Sequence, residues 1–199
     1  MQLLKAVEPE ILANVVLEPS EMCFIQYMPI RMPRSVVRIP RSLQWIFKLL
    51  PFVEYGDDDY LYLTVKYLYV TPDNMGNRPG WHSDGFGTGD VNYLWCDSYP
   101  TEFCIQDFEL SDDCVLSLAE MERQAKDENV KTFGVNTLMR VDNRHVHRVP
   151  LTTKPGFRTF VKLTVSKDRY NLKGNAHNYL FDYKWEMHDR EVWRNHTSK

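Results

Sequence analysis

The segment Tyr60–Val70 constrains the fold more than any other part of the chain. It consists almost entirely of Tyr, Leu, Val and Thr, which are residues that β-strands favour. The acidic run 57–59 precedes it, and the turn-forming run 71–74, Thr-Pro-Asp-Asn, follows it. The pattern therefore predicts a strand here, with both ends defined, in a fold built mainly from strands.

Other strand patterns recur at close spacing, whereas helical patterns are few. We predict further strands at 22–28, 35–39, 91–97, 101–110, 130–133, 137–141, 145–149 and 158–166, with 175–185 as another candidate. Helices are predicted at 42–50, from 111 to about 126, and at 186–194. Many short strands separated by turns indicate a mainly β sandwich or barrel.

Composition narrows the class of protein. No repeat or long linker divides the 199 residues, so we predict a single domain spanning residues 1–199. The net charge of -3 gives no sign of a general nucleic-acid binder. The four cysteines lack the spacing of a zinc site, and no segment resembles a signal peptide or a membrane span. We therefore expect a cytoplasmic protein with free thiols and no membrane partner.

The stretch 81–85, Trp-His-Ser-Asp-Gly, contains candidate metal ligands. His82 and Asp84 are two residues apart, which places both side chains on one face of an extended chain. His147 follows 65 residues later, with His145 two residues before it. Two imidazoles and one carboxylate, with coordination positions left open, are the ligands of a non-haem Fe(II) oxygenase site. The alternatives are a turn in which Asp84 caps a backbone amide and a strand whose histidines are merely polar.

Arg158 opens an alternating strand eleven residues after His147. Its forked cation is suited to hold the far carboxylate of a dicarboxylic co-substrate. In that case the side chains at alternate positions of the strand must point to the same inward side as Arg158; these are Phe160, Lys162 and Thr164. Burying the Lys162 cation there is costly unless it is paired. The alternative is a surface arginine at the start of a strand.

These four residues, His82, Asp84, His147 and Arg158, resemble the HxD…H…R pattern of the Fe(II)/2-oxoglutarate-dependent dioxygenases. The resemblance covers about residues 58–166 and implies a double-stranded β-helix, of jelly-roll or cupin type, with a few flanking helices. It implies an oxidoreductase with Fe(II) held by the two histidines and the aspartate as catalytic ligands, and with Arg158 binding 2-oxoglutarate. Such enzymes consume dioxygen, release succinate and carbon dioxide, and usually hydroxylate a C–H bond of their substrate.

His147 is preferred to His145 as the distal ligand. Residues 147–149, His-Arg-Val, resemble the way this ligand is followed in the family, and the loop 150–156 can return the chain as a neighbouring strand. The family often has a hydroxyl residue two positions after the arginine, where this chain has Phe160. The missing hydrogen bond to the co-substrate must then come from elsewhere, and the candidates are Asn92, Tyr93, Tyr60 and Tyr62.

Two further segments bear on the substrate. A basic stretch between prolines could contact phosphate in a nucleotide or nucleic acid, or could be a solvated edge; it comprises Arg31, Arg34, Arg38 and Arg41. Arg144 and Arg148 flank the distal ligand and could favour an anionic substrate. The polar and aromatic stretch 170–179 could pack across the barrel mouth, or could be a solvent-facing strand and turn.

Two other functions remain open on the sequence alone. A cupin-like metal oxygenase that needs no 2-oxoglutarate would keep the three ligands and use Arg158 structurally. A non-enzymatic jelly roll, such as a binding module or a viral structural component, would use none of these residues for catalysis.

Overall fold

The computed structural model describes residues 2–151 and 154–190, and its secondary structure is mainly β. The strands are β1 (Gln2–Leu4), β2 (Glu10–Asn14), β3 (Cys23–Arg31), β4 (Tyr60–Val70), β5 (Val91–Cys96), β6 (Glu102–Cys104), β7 (Phe108–Leu110), β8 (Val130–Lys131), β9 (Thr137–Val141), β10 (His147–Arg148) and β11 (Gly156–Ser166). The helical elements are α1 (Leu116–Gln124) and 3₁₀ helices at Arg41–Lys48, Leu50–Phe52 and Asp127–Asn129. Within the described ranges, no helix is both long enough and apolar enough to cross a bilayer.

A six-stranded antiparallel sheet dominates the molecule, with strand order β2-β9-β5-β11-β4-β3. Its longest pairing joins β4 to β11 and runs without interruption from Gly156 opposite Val70 to Ser166 opposite Tyr60. A smaller antiparallel sheet has the order β10-β6-β8, and β1 pairs with β7. The predicted strand at Tyr60–Val70 is therefore confirmed, and it lies one position from the sheet edge.

The two faces of the large sheet pack against different groups of side chains. On one face, Leu63 and Val161 belong to the main apolar core, together with Leu43 and Ile46 of the 3₁₀ helix Arg41–Lys48. The other face, which we call the inner face, packs Leu94, Met139 and Phe160 against Phe103 of the small sheet. Because side chains alternate along a strand, Arg158, Lys162 and Thr164 lie on the same side of β11 as Phe160. The inner face is where the predicted ligands must converge.

Several predicted elements differ from the structure. Residues 35–39 and 175–185 form no strand, and the predicted strand 101–110 is divided into β6 and β7. The predicted helix at 111 starts only at Leu116, because the Asp113 carboxylate accepts hydrogen bonds from the Val115 and Leu116 amides and fixes the first turn there. Residues 186–189 are not helical, and 191–194 of that predicted helix lie outside the described residues. Cys23, Cys96 and Cys104 are free thiols, as expected.

Candidate metal centre

Backbone pairing brings the two halves of the predicted ligand set together. The His82 amide donates to the His147 carbonyl at 3.0 Å, and the His147 amide donates to the His82 carbonyl at 2.8 Å. Helix α1 supports this arrangement, since the Glu122 carboxylate accepts a hydrogen bond from the Trp81 amide at 2.9 Å. The segment before Asp84 therefore lies beside β10, and the two imidazole rings are 4.6 Å apart between centroids.

The turn after Asp84 requires glycine. Gly85 has a φ of 71°, in the left-handed region that favours glycine. A Cβ atom at this position would lie 2.9 Å from the Thr88 hydroxyl and 3.1 Å from the Asp90 side chain. Glycine at position 85 thus allows the chain to turn directly behind the carboxylate and return to β5.

His82, Asp84 and His147 form a compact cluster with the chemistry of a metal site. Each offers one ligand atom, and these atoms all lie within 4.8 Å of one another. The Nδ1 atoms of His82 and His147 lie 2.9 Å from the carbonyl oxygens of Gly80 and His145. A carbonyl can only accept, so each Nδ1 carries the hydrogen and each Nε2 keeps its lone pair for a ligand. Neutral imidazoles fixed in this way are prepared for metal coordination.

The electrostatics of the cluster favour the same protonation states. Burial, and to a lesser extent the neighbouring His82 imidazole, lower the pKa of His147 to about 4. Burial also lowers the pKa of His82. Burial opposes ionisation of Asp84, but Lys162 and the two imidazoles outweigh it and hold the pKa of that carboxyl well below its usual range. At neutral pH the cluster therefore contains two neutral imidazoles and one carboxylate.

Lys162 is the partner of Asp84, and the sequence did not reveal this pairing. Its Nζ atom lies 2.7 Å from Asp84 Oδ2 and donates to the Tyr27 hydroxyl at 2.9 Å. The ammonium also lies 4.7 Å from the centroid of the Tyr27 ring. The expected cost of a lysine on the inner face is thus offset by an ion pair with one of the candidate ligands.

Arg158 lies on the inner face and is almost completely buried. Its Nε atom donates to the carbonyls of Ser98 and Tyr99, at 3.3 and 3.1 Å. Its Nη2 atom is buried and has no hydrogen-bond partner in the described part of the chain. Its guanidinium lies 5.2 Å from the centroid of Phe160. The predicted surface alternative for Arg158 is therefore wrong, and one donor of the buried fork remains available to an acceptor.

The candidates for the missing co-substrate bond lie in different places. Asn92 is buried on the inner face, where its Oδ1 accepts from the Thr164 hydroxyl at 2.6 Å. The Tyr62 hydroxyl donates to the Asp168 carbonyl and accepts from the Tyr170 amide, and Tyr60 stacks on the Tyr62 ring. These two tyrosines are therefore engaged with the segment that follows β11. Tyr93 is a wrong candidate, because it points into the opposite core.

His145 is separate from the cluster. Its Nδ1 lies 3.0 Å from the Asp142 carboxylate, and its Nε2 lies 3.3 Å from the Glu8 carbonyl. The predicted strand 145–149 is only two residues long in the structure, so the alternation that would put both histidines on one face does not apply. His145 contributes to the cluster through its carbonyl, which orients the His147 ring.

The arginines proposed for anion binding mostly have structural partners. Arg31 is buried and donates to three backbone carbonyls, whereas Arg34 pairs with Asp58 on the surface. Arg38 donates to the Leu180 carbonyl. Arg144 pairs with Asp142 and Arg148 with Glu102. Arg41, the remaining member of that group, is exposed at the start of the 3₁₀ helix Arg41–Lys48.

Lys66 is a further cation on the inner face, and the sequence analysis did not identify it. It lies opposite Phe160 in the pairing of β4 with β11, which places both side chains on the same face. Its Nζ atom donates to the Gly76 carbonyl at 2.8 Å. Burial, together with the charges of Lys162 and Arg158, lowers the pKa of Lys66 to about 8. The inner face thus holds three basic side chains near one acidic ligand.

The titration of Lys66 predicts a pH-dependent stability. Between its folded pKa of about 8 and its ordinary value of 10.5, the unfolded chain binds more protons than the folded protein, so stability rises with pH across this window. We expect the wild-type protein to gain stability relative to Lys66→Met between about pH 7 and about pH 9.5. Urea unfolding of both proteins at the two pH values measures this gain. Equal pH responses would show that Lys66 is not desolvated in the folded state.

No protein-family model and no curated protein matches the chain. Among solved structures, the chain is similar to EvdO2 from Micromonospora carbonacea var. aurantiaca, at 13% sequence identity and a TM-score of 0.35. The similarity covers 64% of this chain and 60% of that chain. We therefore base the functional conclusion on the side chains of the candidate site.

Proposed function

We propose that the protein is a non-haem Fe(II)/2-oxoglutarate-dependent dioxygenase that hydroxylates a C–H bond. The observation that carries the proposal is the cluster of His82, Asp84 and His147, whose ligand atoms lie within 4.8 Å of one another. Both imidazoles are neutral and oriented by backbone carbonyls, as metal-bound histidines usually are. Two histidines and one carboxylate with open positions are the ligand set of non-haem Fe(II) oxygenases.

The architecture is compatible with this proposal. A double-stranded β-helix requires two antiparallel sheets facing each other, with the metal between them. Here the large sheet packs its inner face against the small sheet, and His147 belongs to a strand of the small sheet. We propose the jelly-roll interpretation on these grounds.

The co-substrate is suggested by the charge of the inner face. The Nη2 atom of Arg158 is a buried donor that lacks an acceptor among the described residues. A buried unsatisfied donor on a cation is costly, and a carboxylate would satisfy it. Lys66 lies opposite Phe160 on the neighbouring strand β4 and adds positive charge to the same face of the sheet. A dicarboxylate such as 2-oxoglutarate fits this arrangement better than a neutral molecule.

Each side chain then has a defined task. His82, Asp84 and His147 would hold the Fe(II), and Arg158 would bind and orient the far carboxylate of 2-oxoglutarate. Phe160, Met139 and Leu94 form an apolar wall that would keep water from the inner face. Bound Fe(II) and 2-oxoglutarate supply the oxidising chemistry, in which dioxygen is consumed and succinate and carbon dioxide are released.

The proposal predicts succinate release that requires iron and 2-oxoglutarate. Purified protein loaded anaerobically with Fe(II) should release succinate after 2-oxoglutarate and oxygen are added. The variant His147→Ala should bind Fe(II) at least about 100-fold more weakly and lose this activity, since a direct ligand matters more than its outer partners. His145→Ala is the matched control and should retain the metal. Folded protein without stoichiometric iron binding would contradict the proposal and favour a non-enzymatic jelly roll.

A second candidate is a metal oxygenase that uses no 2-oxoglutarate. The observation that favours it is the pair of hydrogen bonds from Arg158 Nε to the Ser98 and Tyr99 carbonyls, which gives this arginine a structural role. Calorimetry with 2-oxoglutarate on Fe(II)-loaded protein under argon separates the two. Binding that is lost in Arg158→Met supports the first candidate, and no binding by wild-type protein supports the second.

A further inference from the structure

Lys162 is the counter-ion of Asp84 in the candidate metal centre. Its Nζ atom lies 2.7 Å from Asp84 Oδ2, and the same oxygen lies 3.8 Å from Nε2 of His147. The ammonium therefore contacts the carboxylate that would bind a metal, at an oxygen that also approaches one of the two imidazoles. Because Lys162 is buried and Asp84 is largely buried, solvent screens this positive charge only weakly.

The ammonium of Lys162 is fixed in this position. Its backbone lies within β11, which is paired with β4 on one side and β5 on the other. Its Nζ atom donates to the Tyr27 hydroxyl at 2.9 Å and lies 4.7 Å from the centroid of that ring. Tyr27 is itself held, because its amide donates to the Thr64 hydroxyl at 3.1 Å and its ring packs edge-on against Tyr170. The positive charge is therefore a constant part of the centre.

The three candidate ligands and Lys162 together carry no net charge. The imidazoles of His82 and His147 are neutral, since each Nδ1 donates to a backbone carbonyl and each Nε2 keeps its lone pair. Asp84 supplies one negative charge, and Lys162 balances it. A divalent ion would therefore enter a buried region in which the ligands have no negative charge left to balance it. Buried charges are stable only when they are paired, so the ion needs a further anionic partner.

We propose that the centre binds its metal together with a dianionic chelating ligand, and that Lys162 is the residue that sets this requirement. The inference rests on the proposed function, because it needs the metal site of His82, Asp84 and His147. It does not need the dianion to be 2-oxoglutarate. The ammonium repels a divalent ion that binds alone, whereas the pair of ion and dianion is neutral and is not opposed. Neutral and singly charged chelators leave part of the repulsion in place, so the centre discriminates against them.

Binding of Mn(II) alone tests the repulsion, with free Mn(II) measured by electron paramagnetic resonance. Lys162→Met retains all three ligands and should bind Mn(II) at least about 10-fold more tightly than wild type, since repulsion between a buried ammonium and a divalent ion exceeds the free energy of a tenfold change. Lys162→Gln keeps a hydrogen-bond donor without the charge and should show the same gain. Lys5→Met is the matched control: it removes an exposed lysine that is paired with Asp107, and should bind Mn(II) like wild type.

Oxalate and oxamate test the charge of the second ligand. The two chelators have nearly the same size, but oxalate carries two negative charges and oxamate carries one. In saturating oxalate, after correction for Mn(II) complexed in solution, wild type and Lys162→Met should bind Mn(II) within about 2-fold of each other, because the charge of the dianion cancels the effect of the ammonium. In oxamate, Lys162→Met should keep part of its advantage. By linkage, bound Mn(II) raises the affinity of wild type for oxalate by the same factor.

The possible failures of the inference and of the proposed function are distinguishable. If wild type and both Lys162 variants bind Mn(II) alone with equal affinity, the role of Lys162 is overturned and the proposed function stands. If the advantage of Lys162→Met is as large in oxalate as without it, the requirement for a dianion is overturned. If neither wild type nor the Lys162 variants bind Mn(II) or Fe(II), with or without oxalate, the proposed function fails and the inference fails with it.

Discussion

Replacing Asp84 with Asn should lower the free energy of unfolding of the metal-free protein by about 3–5 kcal/mol, which is the usual effect of leaving a buried charge unpaired. Lys162 would keep its ammonium on the inner face, where its side chain is 8% exposed, and would lose its only carboxylate partner among the described residues. For a chain of this length the melting temperature should fall by roughly 10 °C. Urea unfolding and calorimetry measure both quantities.

The matched experiment is a double-mutant cycle. Lys162→Met removes the charge and keeps the volume, so the variant Asp84→Asn/Lys162→Met should regain most of the lost stability. Asp107→Asn is the control, because Asp107 forms an exposed pair with Lys5 at 2.8 Å and should contribute less than about 1 kcal/mol. Equal effects of Asp84→Asn and Asp107→Asn would contradict the buried ion pair. Under the proposed function, Lys162→Met alone should still bind Fe(II), since it retains all three candidate ligands.

Replacing Arg31 with Met should lower the free energy of unfolding by about 3 kcal/mol, since hydrogen bonds from a charged donor contribute roughly 1.5–3 kcal/mol each and the bond to the Asp59 carbonyl is buried. Arg31 ends β3 and donates to the carbonyls of Gly56, Asp57 and Asp59, at 3.0, 3.2 and 2.6 Å. It thereby fixes the turn that leads into β4. Thermal and urea unfolding of the variant measure the loss.

Arg34→Met is the matched control for this prediction. Arg34 lies three residues away, and its side chain is 80% exposed and paired with Asp58. Its removal should change stability by no more than about 0.5 kcal/mol. Comparable losses in both variants would show that the turn depends on the overall charge of this segment rather than on the hydrogen bonds of Arg31.

The ligand cluster was accessible to sequence reasoning because it depends on simple spacing. His82 and Asp84 are two residues apart, and the inward position of Lys162 follows from alternation along β11 once Arg158 is assigned inward. The choice of His147 came from the residues around it. The structure then adds a reason that spacing could not supply, which is the backbone pairing of His82 with His147.

Other parts of the site depend on contacts between distant residues, which a single sequence does not encode in a regular pattern. The partner of Lys162 is 78 residues away along the chain. The segment 175–185 has a strand-like composition, but Asn178 holds it through carbonyls of Pro29 and Arg38, and no ladder forms. Tyr27, which contacts Lys162, has a positive φ of 45° within β3. Such features follow from tertiary packing, and propensity alone does not predict them.

The pairing of His82 with His147 is made by main-chain atoms, so it does not depend on which side chains these positions carry. Positions 82 and 147 should therefore stay adjacent when either imidazole is exchanged for another donor. The position of each side chain is therefore set by the backbone and not by its chemical type. A carboxylate or thiolate introduced at either position would lie beside the same residues. Under the proposed function, the scaffold consequently offers a route to altered metal preference in which the ligands change and the architecture is retained.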